Sequence, residues 1–207
     1  MTRASSRILF ITGTDTGVGK TVFASDLTSR LRASGVRVAA LKPVCSGGRS
    51  DARMLRKAAG NILPLDAVNP WHFRAAIAPV LAARGERKRV RLSEVVRHIH
   101  GVSARFQITI VEGAGGLLSP LGEDFDSRDL IVALKAEVVV LCPNKIGAIG
   151  QTRLVLQALP KSSLKHTRVV LVNQPRSDRA ARTNCRLLAG YFSREQIYEM
   201  QWLRARR

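Results

Sequence analysis

The run Thr12-Gly13-Thr14-Asp15-Thr16-Gly17-Val18-Gly19-Lys20-Thr21 constrains this chain more than any other stretch. It follows an apolar, β-branched segment at 7–12 and leads into a helical pattern at 20–33. A glycine-rich loop between a strand and a helix turns consecutive backbone N–H groups inward, and the positive end of the helix adds to their field. Such a loop binds phosphate. Gly17 and Gly19 let the main chain approach an anion without a Cβ in the way. Lys20 is placed for the β- and γ-phosphates of a nucleoside triphosphate, Thr21 for Mg2+, and Val18 and Val22 belong to the same nucleotide-binding stretch. The spacing departs from G-x4-G-K-[ST], because Thr14 stands where the first glycine belongs and Gly13 lies one residue earlier. A chance glycine turn before a lysine would not explain the strand before it and the helix after it.

The rest of the chain alternates short β-branched runs with amphipathic stretches. Strands are predicted at 7–12, 37–41, 107–111, 137–142 and 168–172, each nearly continuously apolar, as strands buried on both faces should be. Helices are predicted at 20–33, 50–59, 93–104, 127–134, 149–159 and 178–191, with Ser93 as an N-cap and Ser177 just ahead of the last. The segment 61–91 contains Pro64, Pro70 and Pro79 and reads as loops and short helices. The pattern predicts the α/β class: a P-loop NTPase-type, mostly parallel sheet with helices on both faces. No repeat or composition break divides residues 1–207, so a single nucleotide-binding domain is expected.

Ligands of open α/β sheets sit at the C-terminal ends of the strands. Glu112 ends the strand at 107–111 and precedes Gly113-Ala-Gly-Gly116, so its carboxylate is expected to reach Mg2+ directly or through water. An acidic residue at a strand end is otherwise a solvated turn. Lys42 follows the strand at 37–41, where a second fixed cation would stabilise charge on a transferring phosphoryl group. The competing reading is a surface lysine, in a chain with 34 lysines and arginines. Asp51 completes the metal's carboxylate set or caps the helix beginning near Ser50.

The net charge of +19 points to nucleic acid or an anionic surface as a possible partner. The basic stretches Arg84-Gly-Glu-Arg-Lys-Arg-Val-Arg91 and Arg204-Ala-Arg-Arg207 lack interleaved aromatics, which disfavours nucleic-acid binding as the main function. No apolar run is long enough to cross a bilayer, and the basic start 1–7 reads as mature sequence rather than a leader. Three cysteines without metal-type spacing (Cys45, Cys142 and Cys185) suggest a reduced, cytoplasmic compartment.

Taken in order, these segments resemble the dethiobiotin synthetases. The resemblance rests on Gly13-Thr-Asp-Thr-Gly-Val-Gly-Lys-Thr21, Lys42-Pro-Val-Cys-Ser-Gly47, Ser50-Asp51-Ala52, Val68-Asn-Pro70 with Phe73, and Glu112-Gly-Ala-Gly-Gly116. Asn144-Lys-Ile-Gly147, Asn173 after an apolar strand, and Tyr198-Glu-Met-Gln-Trp-Leu203 continue it over essentially the whole chain. It implies a cytoplasmic, ATP-dependent cyclo-ligase of biotin biosynthesis that acts on 7,8-diaminononanoate and CO2. In that chemistry a carbamate formed on one amine attacks the γ-phosphate, and the second amine closes the ring by expelling phosphate. By resemblance, Thr21, Asp51 and Glu112 surround Mg2+, and Lys20 and Lys42 hold the phosphates and carbamate as the catalytic pair. Thr16 and Ser46 offer hydroxyls to the substrate, Gly115 and Gly116 admit the diamine, and Asn173 reads the adenine edge. Family members are homodimers in which the turn at 147–150, here carrying Ala148, Ile149 and Gly150, takes the substrate's carboxylate tail in the other subunit's site.

Four departures stand out. The loop between Ser46 and Asp51 is shorter than in many members of that family. Ala78-Pro79-Val80 replaces a usual Ser-Pro-His, Gly147-Ala-Ile-Gly-Gln151 replaces Gly-x-Ile-Asn-His, and the chain stops soon after Leu203, short of part of the usual adenine-side segment. Gly150 thus removes a side-chain amide from the carboxylate pocket, although main-chain N–H groups at a helix start would still bind the tail. Two alternatives follow: a diverged paralogue that keeps ATP but serves another substrate or a regulatory role, and a DNA-associated partition-type ATPase. The second usually carries an extra lysine at the start of the loop, where this chain has Gly13-Thr14.

Overall fold

The computed structural model describes residues 6–202. The start at 1–5 and the tail at 203–207, with its arginines, lie outside the described residues. Six strands form one sheet: β1 (Arg7–Gly13), β2 (Val38–Leu41), β5 (Ile108–Glu112), β6 (Glu137–Asn144), β7 (Thr167–Asn173) and β8 (Ile197–Met200). Their order is β2-β5-β1-β6-β7-β8, with every pair parallel. A separate pair, β3 (Val44–Ser46) and β4 (Trp71–Phe73), runs beside the main sheet.

Residues alternate between the two faces of each strand, so a strand covered on both sides must be apolar at successive positions. Ile8 and Phe10 of β1 enter one core while Ile11 enters the other. The first core takes Ile99 of α5 (Leu92–Ser103), Leu130 of α6 (Ser127–Leu134), Leu156 of α7 (Ala148–Ala158) and Leu188 of α9 (Ala181–Leu188). The second takes Ala24 of α1 (Lys20–Ala33) and Leu55 of α2 (Ser50–Ala58). Helices therefore cover both faces, as the alternating pattern predicted.

The five predicted strands and six longer helices are present with small shifts at their ends. The proline-rich stretch holds α3 (Leu65–Val68), β4 and α4 (Pro79–Gly85), whose first turn uses Pro79, and α8 (Lys161–Leu164) adds another single turn. β3 and β4 escaped the sequence reading because each has three residues and pairs only with the other. β8 escaped it as a half-exposed edge strand with no continuous apolar run.

Two cap expectations are corrected. α5 begins at Leu92 with Arg91 at the cap position, so Ser93 lies inside the helix and caps nothing. α9 begins only at Ala181, because Asp178 turns back onto the backbone: its Oδ1 accepts from Ala181 N at 2.9 Å and its Oδ2 from Ile146 N at 2.7 Å. The predicted start at Ser177 and Asp178 is a loop tied to the end of β6.

α6 has a reciprocal cap. Asp126 accepts from the amides of Arg128 and Asp129, and Asp129 accepts from the amide of Asp126. Asp126→Ala removes this cap, and a loss of about 1 kcal/mol is expected. Thermal unfolding should show a fall in Tm of roughly 2–4 °C.

Candidate active site

β1 hands the chain to the glycine loop, and Thr14 N donates to Leu141 O of β6 at 2.9 Å, so the loop starts from a fixed point. The glycines serve for different reasons. A Cβ on Gly13 would lie 2.5 Å from Val18 Cγ2 and 3.1 Å from Leu141 O, so crowding excludes any side chain there. Gly17 and Gly19 have φ of 74° and 96°, the left-handed region that only glycine enters freely. Val18 is buried beneath the loop, and Val22 sits half-buried in the first turn of α1.

Lys20 is 6% exposed, and its Nζ crosses under the loop to donate to Asp15 O at 2.7 Å. Burial lowers its pKa to about 8, and the nearby Lys42 pushes the same way, against attraction from Glu112. Thr16 is exposed, with its amide donating to Asp15 Oδ1.

The second cluster joins three elements. Lys42, just past β2, donates from Nζ to Glu112 Oε1 at 2.5 Å and to Asp51 Oδ2 at 2.8 Å. Thr21, the residue after Lys20, donates from Oγ1 to the same Glu112 Oε1 at 2.8 Å. Glu112 is 1% exposed and its Oε2 is buried without a hydrogen-bond partner. Lys42 is 7% exposed, which rules out the surface-lysine reading. Burial alone would lower its pKa, but Glu112 and then Asp51 outweigh it and raise the group to about 12. Asp51 lies in the first turn of α2, where Arg49 holds the cap position, and its carboxylate is spent on Lys42 rather than on capping.

Lys42 is held by its backbone as well. Its amide donates to Val68 O, and Asn69 Nδ2 donates to its carbonyl at 2.7 Å. Arg49 fixes Asn69 in turn, donating to both its side-chain and main-chain oxygens. Asn69 was legible only as part of Val68-Asn-Pro70, with no role attached.

The remaining expected residues stand apart from this cluster. Ser46 donates its hydroxyl to Ile77 O. Ser119 Oγ accepts from Gly116 N at 2.9 Å and lies against Gly115, whose φ is 71°. Both glycines thus serve a closed turn, and Ser119, unremarked in the sequence, completes it. Val80 is half-buried in α4.

Gly147, with φ of 87°, opens α7. Ala148 N donates to Lys145 O and Gln151 N to Gly147 O, which leaves the amides of Ile149 and Gly150 as the open donors of the first turn. Gln151 is exposed, with its Oε1 accepting a weak contact from Cys142 Sγ at 3.9 Å. Asn173 ends β7 directly opposite Asn144 of β6, and Asn144 Nδ2 donates to its Oδ1 at 2.7 Å. Among the described residues, no helix is long and apolar enough to cross a membrane.

A family model described as an AAA domain matches residues 7–205. The ATP-dependent dethiobiotin synthetase of Anaeromyxobacter dehalogenans strain 2CP-C is 39% identical over 201 residues, 95% of this chain and 90% of that one. That of Methanocaldococcus jannaschii is 35% identical over 170 residues, 80% of this chain and 79% of that one. Among solved structures, a ParA family ATPase from Chlorobium tepidum TLS matches with a TM-score of 0.60 at 11% identity, over 96% of this chain and 86% of that one. The hydrogenase maturation factor HypB from Archaeoglobus fulgidus matches at 0.53 and 14%, over 95% and 81%. At such identities the structural likeness shows the fold alone.

The two lysines give stability opposite pH dependences. Between about pH 8 and 10.5 the unfolded chain keeps a proton that folded Lys20 has released, so stability rises with pH there. Lys42, raised instead, contributes stability that is present below 10.5 and lost as pH rises through about 12. Lys20→Met removes the first effect. The ligand-free variant should be more stable than the parent at pH 7, by about 3 kcal/mol at most. Denaturant titrations from pH 7 to 10.5 should show that gap closing; a constant gap would contradict the assignment.

Proposed function

The chain belongs to the family of ATP-dependent dethiobiotin synthetases, and from that premise we propose that it carboxylates and cyclises 7,8-diaminononanoate with CO2 at the expense of ATP. The observation that carries the reading is the Lys42 ammonium held between Glu112 and Asp51, with Thr21 bonded to the same Glu112 and Lys20 adjacent in the chain.

The donors suit Mg2+, a hard cation usually bound through one or two carboxylates plus substrate phosphates. Glu112 Oε2 is a buried carboxylate oxygen without a partner, and the Thr21 hydroxyl and Asp51 carboxylate lie around the same Lys42 and Glu112. We assign the metal to Thr21, Asp51 and Glu112. When bound, it would neutralise charge on the β- and γ-phosphates.

The chain's own residues then divide the work. The amides of Gly17, Val18 and Gly19 and the Lys20 ammonium bind the triphosphate, with Val22 beside them in the first turn of α1. A carbamate formed from CO2 and one amine of the substrate directs its oxygen at the γ-phosphorus, and ADP leaves. The second amine attacks the carbamic–phosphoric anhydride, the ureido ring closes, and phosphate leaves. Lys42 meets charge on the carbamate and the transferring phosphoryl group, so its contribution is greatest in the transition state. Asn173 meets the adenine edge. Thr16, Ser46, Gly115 and Gly116 face the diamine, although the hydroxyl of Ser46 and the amide of Gly116 already have partners in the chain.

The carboxylate tail goes to the open amides of Ile149 and Gly150, beside buried Ala148, and reaches them from a second subunit. The exposed side chains of Ile146 and Leu154, 79% and 68% accessible, flank that turn and support a homodimer. The cytoplasm is the compartment proposed.

Phosphate release from ATP should require magnesium, bicarbonate and the diamine together. Release that ignores the diamine would leave an ATPase and not this ligase. Lys42→Ala should lower kcat on the order of a hundredfold while the affinity for ATP changes little. The reverse pattern, weak ATP binding with normal turnover, would move Lys42 to ground-state binding.

A further inference from the structure

Three asparagines run in a line behind the end of β7. Asn184 of α9, 4% exposed, donates from Nδ2 to Lys145 O at 3.0 Å and to Asn144 Oδ1 at 2.9 Å. Asn144, fully buried, donates from Nδ2 to Ala181 O at 3.1 Å and to Asn173 Oδ1 at 2.7 Å. A backbone carbonyl only accepts. Lys145 O and Ala181 O therefore determine which end of each inner amide is nitrogen, and the line has one direction: donors point from α9 toward β7. Asn173, half-buried, keeps its oxygen turned to Asn144, and among the described residues its NH2 group has no partner.

We propose that Asn184 and Asn144 are positioning residues that lock the direction of the Asn173 amide, and that this lock selects adenine over 6-oxopurines. The proposal rests on the reading of Asn173 as the base-edge contact and deepens it. The neighbourhood is right for that contact: a Cβ on Gly19 of the phosphate loop would lie 4.0 Å from Val172, the residue before Asn173.

An amide meets adenine by donating to N7 and accepting from the N6 amine. Asn173 has the free NH2 for N7, and its oxygen keeps a second lone pair for the amine beyond the one that Asn144 uses. A 6-oxopurine sets its O6 against that oxygen, acceptor against acceptor. Turning Asn173 over would set its NH2 against that of Asn144, and Asn144 cannot turn without facing Ala181 O with its own oxygen. Helix α9 thus controls base choice through two buried amides and without touching the base.

Equilibrium titrations with magnesium present test this on the unaltered protein. ATP should bind best, purine riboside triphosphate less well for want of the amine, and ITP about tenfold less well again, in line with a mispaired base edge. ITP binding as well as purine riboside triphosphate would overturn the lock. Asn184→Asp, which removes both donors, should bring the ATP:ITP affinity ratio down about tenfold, toward that of an amide free to turn. An unchanged ratio overturns the proposal. So does an equal loss for ATP, ITP and inorganic tripolyphosphate, which would mark a merely structural role. If 7-deaza-ATP and purine riboside triphosphate both bind like ATP, Asn173 does not meet the base and the underlying reading fails. If both weaken while ITP is not penalised, only the lock fails.

Discussion

The ammonium of Lys42, buried between Glu112 and Asp51, is the contact on which the site depends. It joins the ends of β2 and β5 to the first turn of α2, and through Glu112 it reaches Thr21 at the start of α1. A buried charge is costly unless paired, and removing one partner leaves the other stranded. Among the described residues Lys20, close by, has no carboxylate bonded to it, only the carbonyl of Asp15. Burial therefore dominates at Lys20 and pairing at Lys42, and their proton affinities move in opposite directions from one reference value. One lysine is left for an incoming anion, and the other is held by anions of the chain itself.

That division suits phosphoryl transfer, where positioning and charge neutralisation do most of the work. Glu112 has one oxygen shared by Thr21 and Lys42 and the other without a partner. Such a carboxylate is ready for a cation and costly to leave as it is. The rest of the local structure serves placement. Asn69 and Arg49 hold the backbone at Lys42, and Ser119 closes the glycine turn after Glu112. Asp178 ties the loop before α9 to the loop before α7, so the loop after β7 and the turn at 147–150 share one hydrogen-bonded frame.

Much was legible before any coordinates. Five strands of the main sheet read as apolar runs because both of their faces are covered, and α1 and α6 fall where the pattern placed them. Lys20, Thr21, Lys42, Asp51 and Glu112 could be named because each stands at a strand end or a helix start, where parallel sheets collect their ligands. The edge strand β8, the pair β3 and β4 and the late start of α9 were not legible. Their identity depends on pairing with, or capping by, residues far along the chain, as Asp178 does with Ile146.

The linear order of residues was enough to determine the α/β class, the phosphate loop and the cast of charged groups, because these follow from local periodicity and from glycine's access to positive φ. Which groups touch was decided by the tertiary structure alone. Nothing in the order of residues says that Lys42 leaves the surface to bridge Glu112 and Asp51, or that Asn184 aims Asn144 at Asn173. Those contacts span 9 to 70 positions of sequence, and only the stacking of parallel strands with their crossover helices brings the partners within hydrogen-bond reach.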